Sequence, residues 1–138
     1  MEKIDEQILL TESFDVHQDW ETPIPGFYIV ASRDLSKKSV ADFTDAESVE
    51  LALLLKRVRK AMSEALGIEV VYFFENEDTE HSFHFWMFPR HAWMNQFGPK
   101  VQSIRPIIEF ARQTMATQET LAEVKEAAEK MRLVLKEG

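Results

Sequence analysis

Cysteine is absent from the 138 residues, which removes disulfides, thiol nucleophiles and thiolate metal sites from consideration. Basic side chains are the minority, 16 against 24 acidic ones, and the net charge is −8. A nucleic-acid polymer is held by clustered Lys and Arg, so this balance argues against one as partner. It argues against an anionic membrane surface for the same reason. A small anionic ligand is not excluded, because backbone N–H groups cradle phosphate without net positive charge. No apolar run approaches the roughly 20 residues needed to span a bilayer. The opening MEKIDEQILL lacks a basic region followed by a long apolar stretch. The expectation is therefore a cytoplasmic protein with no secretory signal. Internal repeats and low-complexity segments are also absent.

What is present suits a single domain over residues 1–138. The apolar fraction of 45% is that of a globular chain with a core. Residues 8–17 read as two short strands around Thr11-Glu12-Ser13. The stretch DWETPIPGF, with two prolines and a glycine, reads as a turn. FYIVAS, residues 27–32, has strand length and strand composition. Thr44 and Glu47 then form a capping box ahead of a helical pattern that runs to Gly67. Residues 69–75 and 82–88 read as strong strands joined by the acidic loop 75–80. Residues 103–115 read as a helix, and a last helix starts near Thr117 with Leu121, Val124, Ala128, Met131 and Leu135 on one stripe. The fold class expected is α+β with an antiparallel sheet.

Three histidines fall within the stretch EHSFHFWMFPRH, residues 80–91. Strand alternation puts His84, Trp86 and Phe88 on one face and Phe83, Phe85 and Met87 on the other, which is wholly apolar and faces the core. His81 should point away from His84 unless a bulge near Ser82 turns it. A mid-strand imidazole can be a nucleophile, a proton donor or a hydrogen-bonded sheet residue. A metal site of His81, His84 and His91 would need three converging ligands, and alternation separates two of them.

The order of these elements resembles the histidine triad (HIT) family of nucleotide hydrolases and transferases. The run Ser82-Phe83-His84-Phe85-Trp86-Met87-Phe88-Pro89-Arg90 matches the family's His-x-His-x-His strand and the Pro-Arg that often follows it. PGFYIVASRDLSKKSVADFTDAE matches the earlier strand, its basic turn and the entry to the long helix. The resemblance covers residues 8–91, and 92–138 is then a C-terminal extension of a loop and two helices. It implies a HIT-like antiparallel sheet of about five strands with a long helix after the third.

By resemblance, His84 takes the place of the family nucleophile, which attacks an α-phosphate to form a nucleotidyl-histidine. Ser82 stands at the first triad position, Trp86 at the third, and Phe27 where the family has an earlier histidine. His81 adjoins the first position and could assist. Asp19 has the spacing of the acidic residue that holds the ribose hydroxyls, although an Asp before WETPIP also suits a turn former. Asn76 is a candidate substrate contact, with Trp86, and Arg90 and Arg33 are candidate phosphate contacts. The acidic loop lacks the family's phosphate-binding glycines and reads either as a solvated loop or as a holder of a divalent cation. The implied activity is nucleotidyl hydrolysis of a dinucleoside polyphosphate, such as diadenosine tetraphosphate, or of a nucleotide conjugate. No resident cofactor is implied, a divalent cation could accompany the substrate, and the default assembly is a homodimer. The alternative is a HIT-like module that binds a nucleotide or a partner without catalysis.

Overall fold

A computed structural model describes residues 2–137. The sheet has five strands: β1 (Gln7–Leu10), β2 (Phe14–Gln18), β3 (Tyr28–Ser32), β4 (Val71–Glu75) and β5 (His84–Pro89). Their order is β1-β2-β3-β5-β4, and every neighbouring pair is antiparallel. β3 and β5 are thus interior, and all five residues of β3 are buried. β4 begins at Val71 rather than 69, and β5 begins at His84 and runs through Pro89.

The long helix α1 (Asp45–Leu66) forms where its capping box lies. The Thr44 hydroxyl accepts from the Glu47 amide at 3.1 Å, and the Glu47 carboxylate accepts from the Thr44 amide at 2.8 Å. Gly67, at φ +67°, ends it in the left-handed region that glycine enters without steric cost. Its buried stripe of Leu54, Val58, Ala61 and Met62 packs on one sheet face. The last helix, α3 (Gln118–Glu137), lays Ala128, Met131 and Leu135 beside it. Register places Phe14, Val16, Tyr28, Val30, Phe85 and Met87 on this face. Phe83, just ahead of β5, joins the same core. Each fully buried large apolar side chain here contributes about 1.5–3 kcal/mol.

The opposite face carries His17, Ile29, Ala31, Phe74, His84, Trp86 and Phe88. On the β2 side Trp20 stacks on the buried His17, and the larger cover lies at the other end. There α2 (Ile104–Thr114) seals a second core of Ile24, Phe27, Phe88, Met94, Ile104, Ile107 and Ala111. Phe88 therefore shares a face with His84, as alternation requires, yet is fully buried. Phe27 meets it edge to face at 5.0 Å. Between these covers the face stays partly open around the half-buried His84 and Trp86, and the residue opposite His84 across the ladder is the small Ala31.

Candidate functional site

His84 opens β5, and its ring lies on the partly open stretch of the sheet. Its Nδ1 is 2.7 Å from the main-chain oxygen of Ser82. A carbonyl oxygen only accepts, so Nδ1 carries the proton and donates it there. Nε2 is left with its lone pair. Fixing one ring nitrogen with a backbone acceptor in this way selects the tautomer of a functional histidine. Ser82 thus acts through its main chain, two residues before the ring it orients.

The cleft over His84 has a volume of about 210 Å³ and is walled by Asp19, Trp20, His81, Trp86 and Arg112, with Ile29 at its floor and Lys3 at its edge. The chain between Phe83 and the acidic loop brings His81 to this side. Its ring centroid is 5.6 Å from that of His84, so strict alternation does not hold across Ser82. The reason is that residues 81–83 precede the first paired residue of β5 and are not held to the pleat.

Asp19 follows β2 directly. Its amide donates to the Phe27 carbonyl at 2.8 Å, which fixes the backbone at the sheet's mouth. The carboxylate is buried, at 6% exposure. Burial pushes its pKa above the usual carboxylate range, while Thr22, Arg112 and the Glu21 amide temper that rise. The Glu21 amide donates to Oδ2 at 3.3 Å, so Asp19 also serves the turn-forming role open to it. A carboxylate oxygen facing a cleft next to a histidine lone pair can accept two hydroxyl hydrogens, as a ribose diol would offer.

Arg112 comes from α2, far away in sequence. Its Nε donates to the Thr22 hydroxyl at 2.9 Å. Its terminal nitrogens lie 3.8 Å from Asp19 and 3.8 Å from Glu21. Trp20 stacks on His17 at 4.3 Å and stands 6.3 Å from His84, forming a flat wall. Neither Arg112 nor Trp20 stands in a sequence motif that points to this cleft. Trp20 adjoins Asp19 in the motif DWE, which was legible only as a turn. Arg112 had no local signal beyond its place beside the apolar stripe of α2.

The remaining expected site residues lie elsewhere. Asn76 is exposed on the acidic loop and does not line this cleft. Glu77, Asp78 and Glu80 are exposed with it. Arg90 is committed to its own fold: its guanidinium donates to the Ser103 hydroxyl at 2.7 Å and to the carbonyls of Met94 and Gly98. Arg33 donates to the carbonyls of Thr11 and Glu12. His91 points away from His84 and bonds the Pro25 carbonyl at 2.6 Å through Nε2. Among the described residues no group of three or more His, Asp or Glu side chains is disposed to hold a metal ion.

No family model and no curated protein matches the sequence. Solved structures match it over nearly its whole length. A zinc-bound histidine triad family protein from Mycobacterium smegmatis superposes with a TM-score of 0.65 over 96% of this chain and 85% of its own, at 17% identity. A Hit-like protein involved in cell-cycle regulation from Bartonella henselae, with an unknown ligand, gives 0.64 over 94% and 86%, at 16% identity. A hypothetical histidine triad nucleotide-binding protein from Sulfolobus tokodaii gives 0.65 over 96% and 85%, at 13% identity. At these identities the likeness is one of fold. The chain has the HIT-like α+β fold, and the likeness runs past Arg90 into the C-terminal helices.

Proposed function

We propose that this chain, HIT-like in fold, binds a nucleotide over His84 and hydrolyses it through a nucleotidyl-histidine intermediate. The substrate class is a dinucleoside polyphosphate or a nucleotide conjugate. The observation that carries the reading is the pairing of His84, proton fixed on Nδ1 by the Ser82 carbonyl, with the buried carboxylate of Asp19 in one cleft. In this reading Nε2 of His84 attacks the α-phosphorus, Asp19 accepts the ribose hydroxyls, and Trp20 and Trp86 flank the nucleotide. Arg112 meets the phosphate charge from α2. His81, the neighbouring imidazole, assists by hydrogen bonding. The reading needs no resident cofactor, and a divalent cation would enter with the substrate. The neighbours' descriptions, one of them as a nucleotide-binding protein, are consistent with it.

The experiment is intact-protein mass spectrometry after mixing with a panel of dinucleoside polyphosphates and nucleoside phosphoramidates. The expected result is turnover together with a transient adduct of one nucleoside monophosphate. Absence of both across the panel would reject catalysis. A second reading has a specific motive. Ser82 and Trp86 replace two of the three histidines, so the cleft would bind a nucleotide without turning it over. Saturable AMP binding without turnover would select it.

The reading extends to a homodimer. β4 is a sheet edge, with Val70 beside it and Phe73 on it each about half exposed, and an open edge of this kind pairs readily with a second copy. Sedimentation of wild type and Phe73→Lys tests this; a wild-type monomer at micromolar concentration would remove it. A cytoplasmic setting belongs to the same proposal. No helix among the described residues is long and apolar enough to cross a membrane.

A further inference from the structure

A second cleft, of about 350 Å³, adjoins the His84 cleft and is the larger of the two. Trp86 and Arg112 line both, so the two share a wall and a cation. The size falls at the lower end of ligand pockets, which run roughly 300–1,000 Å³. Its sheet side is aromatic: Phe74 stacks on Trp86 with centroids 5.5 Å apart and planes 11° from parallel. The two residues are direct cross-strand partners between β4 and β5. Its helix side is Val101, Ile104 and Ile108. Arg105, Glu109 and Arg112 form the polar rim.

We infer that this second cleft seats the leaving group of the substrate, and that the leaving group is an aromatic ring joined to the α-phosphate through oxygen. The inference rests on the proposed nucleotidyl transfer to His84 and narrows its substrate class. Three observations converge. First, the clefts meet at Trp86, two residues along the strand from the nucleophile, so a group departing past Trp86 enters the second cleft. Second, the walls are an aromatic stack and aliphatic side chains, which fit a ring and offer a polyphosphate chain nothing but Arg105 and Arg112. Third, Trp86 carries an indole N–H that donates a hydrogen bond but does not give up its proton. The guanidinium groups likewise hold theirs. A leaving group with little need of protonation suits such a cleft, and a phenolate is one that two guanidinium groups can stabilise.

The steps balance without a further reactant. The Nε2 lone pair of His84 bonds to the α-phosphorus as the P–O bond to the aryl oxygen breaks. Both electrons of that bond leave on the oxygen, as a phenolate. Water then bonds to phosphorus and the P–N bond breaks, its electron pair returning to Nε2. The proton released by the water passes to solvent, and the nucleoside monophosphate leaves.

The test compares two substrates with acidic leaving groups, one filling the second cleft and one leaving it empty. They are the 4-nitrophenyl ester of AMP and adenosine 5′-phosphorofluoridate. Val101→Asp puts a charge on the cleft wall at an exposed position, where the fold tolerates it. Ile108→Ala empties part of the same wall. Single contacts in an apolar pocket are worth roughly 10–200-fold in kcat/KM. We expect each variant to lower kcat/KM for the aryl ester by about tenfold or more and to leave the fluoridate within about twofold. A chemical-shift titration with phenol should move the Trp86 indole N–H in the wild type and not in Val101→Asp. Equal effects of both variants on the two substrates, or no shift at Trp86, would overturn the leaving-group seat while the hydrolase reading stands. Hydrolysis of neither substrate would overturn the leaving-group seat, and the hydrolase reading falls with it only when the dinucleoside polyphosphate and phosphoramidate panel shows no turnover either.

Discussion

Replacing Arg112 by Gln removes the one cation that α2 presses against the buried carboxylate of Asp19. Two interactions are lost. The Nε bond to the hydroxyl of Thr22, itself fully buried, is charge-assisted at 2.9 Å, and such bonds contribute about 1.5–3 kcal/mol. The contact with Asp19 spans 3.8 Å, but the arginine side chain is 45% exposed, so solvent screening reduces it to about 1 kcal/mol or less. A glutamine amide can recover part of the Thr22 bond. The net cost at neutral pH is about 2 kcal/mol, or roughly 6–10 °C in Tm for a domain of this size. The pH dependence carries the sharper test. Burial, the main influence, raises the folded pKa of Asp19 above its ordinary 3.8, and Arg112 opposes the rise. A raised carboxylate contributes stability that is fully present below 3.8 and lost as pH climbs through the folded value. Without Arg112 the folded value moves higher still. The loss then continues to higher pH, and the gap between wild type and variant widens from acid toward neutrality. Thermal unfolding across about pH 4–7 measures that gap. Glu21, 3.8 Å from the same guanidinium, is controlled for by repeating the series in a Glu21→Gln background. A gap that stays constant with pH in both backgrounds would refute the compensation of Asp19 by Arg112.

His84→Ala should abolish the nucleotidyl adduct in intact-mass spectra while lowering stability by no more than about 2 kcal/mol, since it forfeits one hydrogen bond and partial packing on a half-buried face; an adduct that persists in the variant would move the nucleophile elsewhere. Met87→Ala, at a fully buried position under α1, should cost about 2–5 kcal/mol in urea unfolding through the cavity it leaves. Gly26 has φ +87°, and an added Cβ would stand 2.9 Å from Cδ1 of Ile68. Gly26→Ala should therefore destabilise by about 1–3 kcal/mol, and a neutral result in the same assay would mean the turn relaxes freely.

The frame of the fold was legible because its signals are local. The Thr44 capping box, Gly67 and the alternation of Phe83, Phe85 and Met87 each concern residues within a few positions of one another. The same alternation placed His84 opposite the main core. What escaped was set by tertiary approach. α2 covers only one end of the His84 face, so Phe88 is buried while Trp86 and His84 stay partly open, and no periodicity within β5 distinguishes them. His81 was expected to point away from His84 unless the chain turned near Ser82, and it does turn there, because strand geometry does not govern residues ahead of the first ladder pair. Arg112 reaches the cleft by the packing of a helix 90 positions beyond its hydrogen-bond partner Thr22, a contact no local pattern encodes. Arg90 followed the Pro-Arg pattern of the resemblance, yet its fork geometry suits carbonyl oxygens as well as phosphate, and the loop after it supplies those.

That fastening at Arg90 bears on how a ligand comes and goes. The guanidinium gathers the carbonyls of Met94 and Gly98 and the hydroxyl of Ser103, while the Arg90 amide holds the Val70 carbonyl at 2.9 Å. The segment leading into α2 is thereby clamped to the strand that carries His84. A cleft whose two sides are joined by one short clamp does not open by swinging a lid. In the proposed reading, ligand exchange would need only rotamer motion of exposed side chains, which takes nanoseconds or less. Association would then run near the rate of diffusive encounter, and residence time would be set by contacts inside the cleft rather than by a conformational clock.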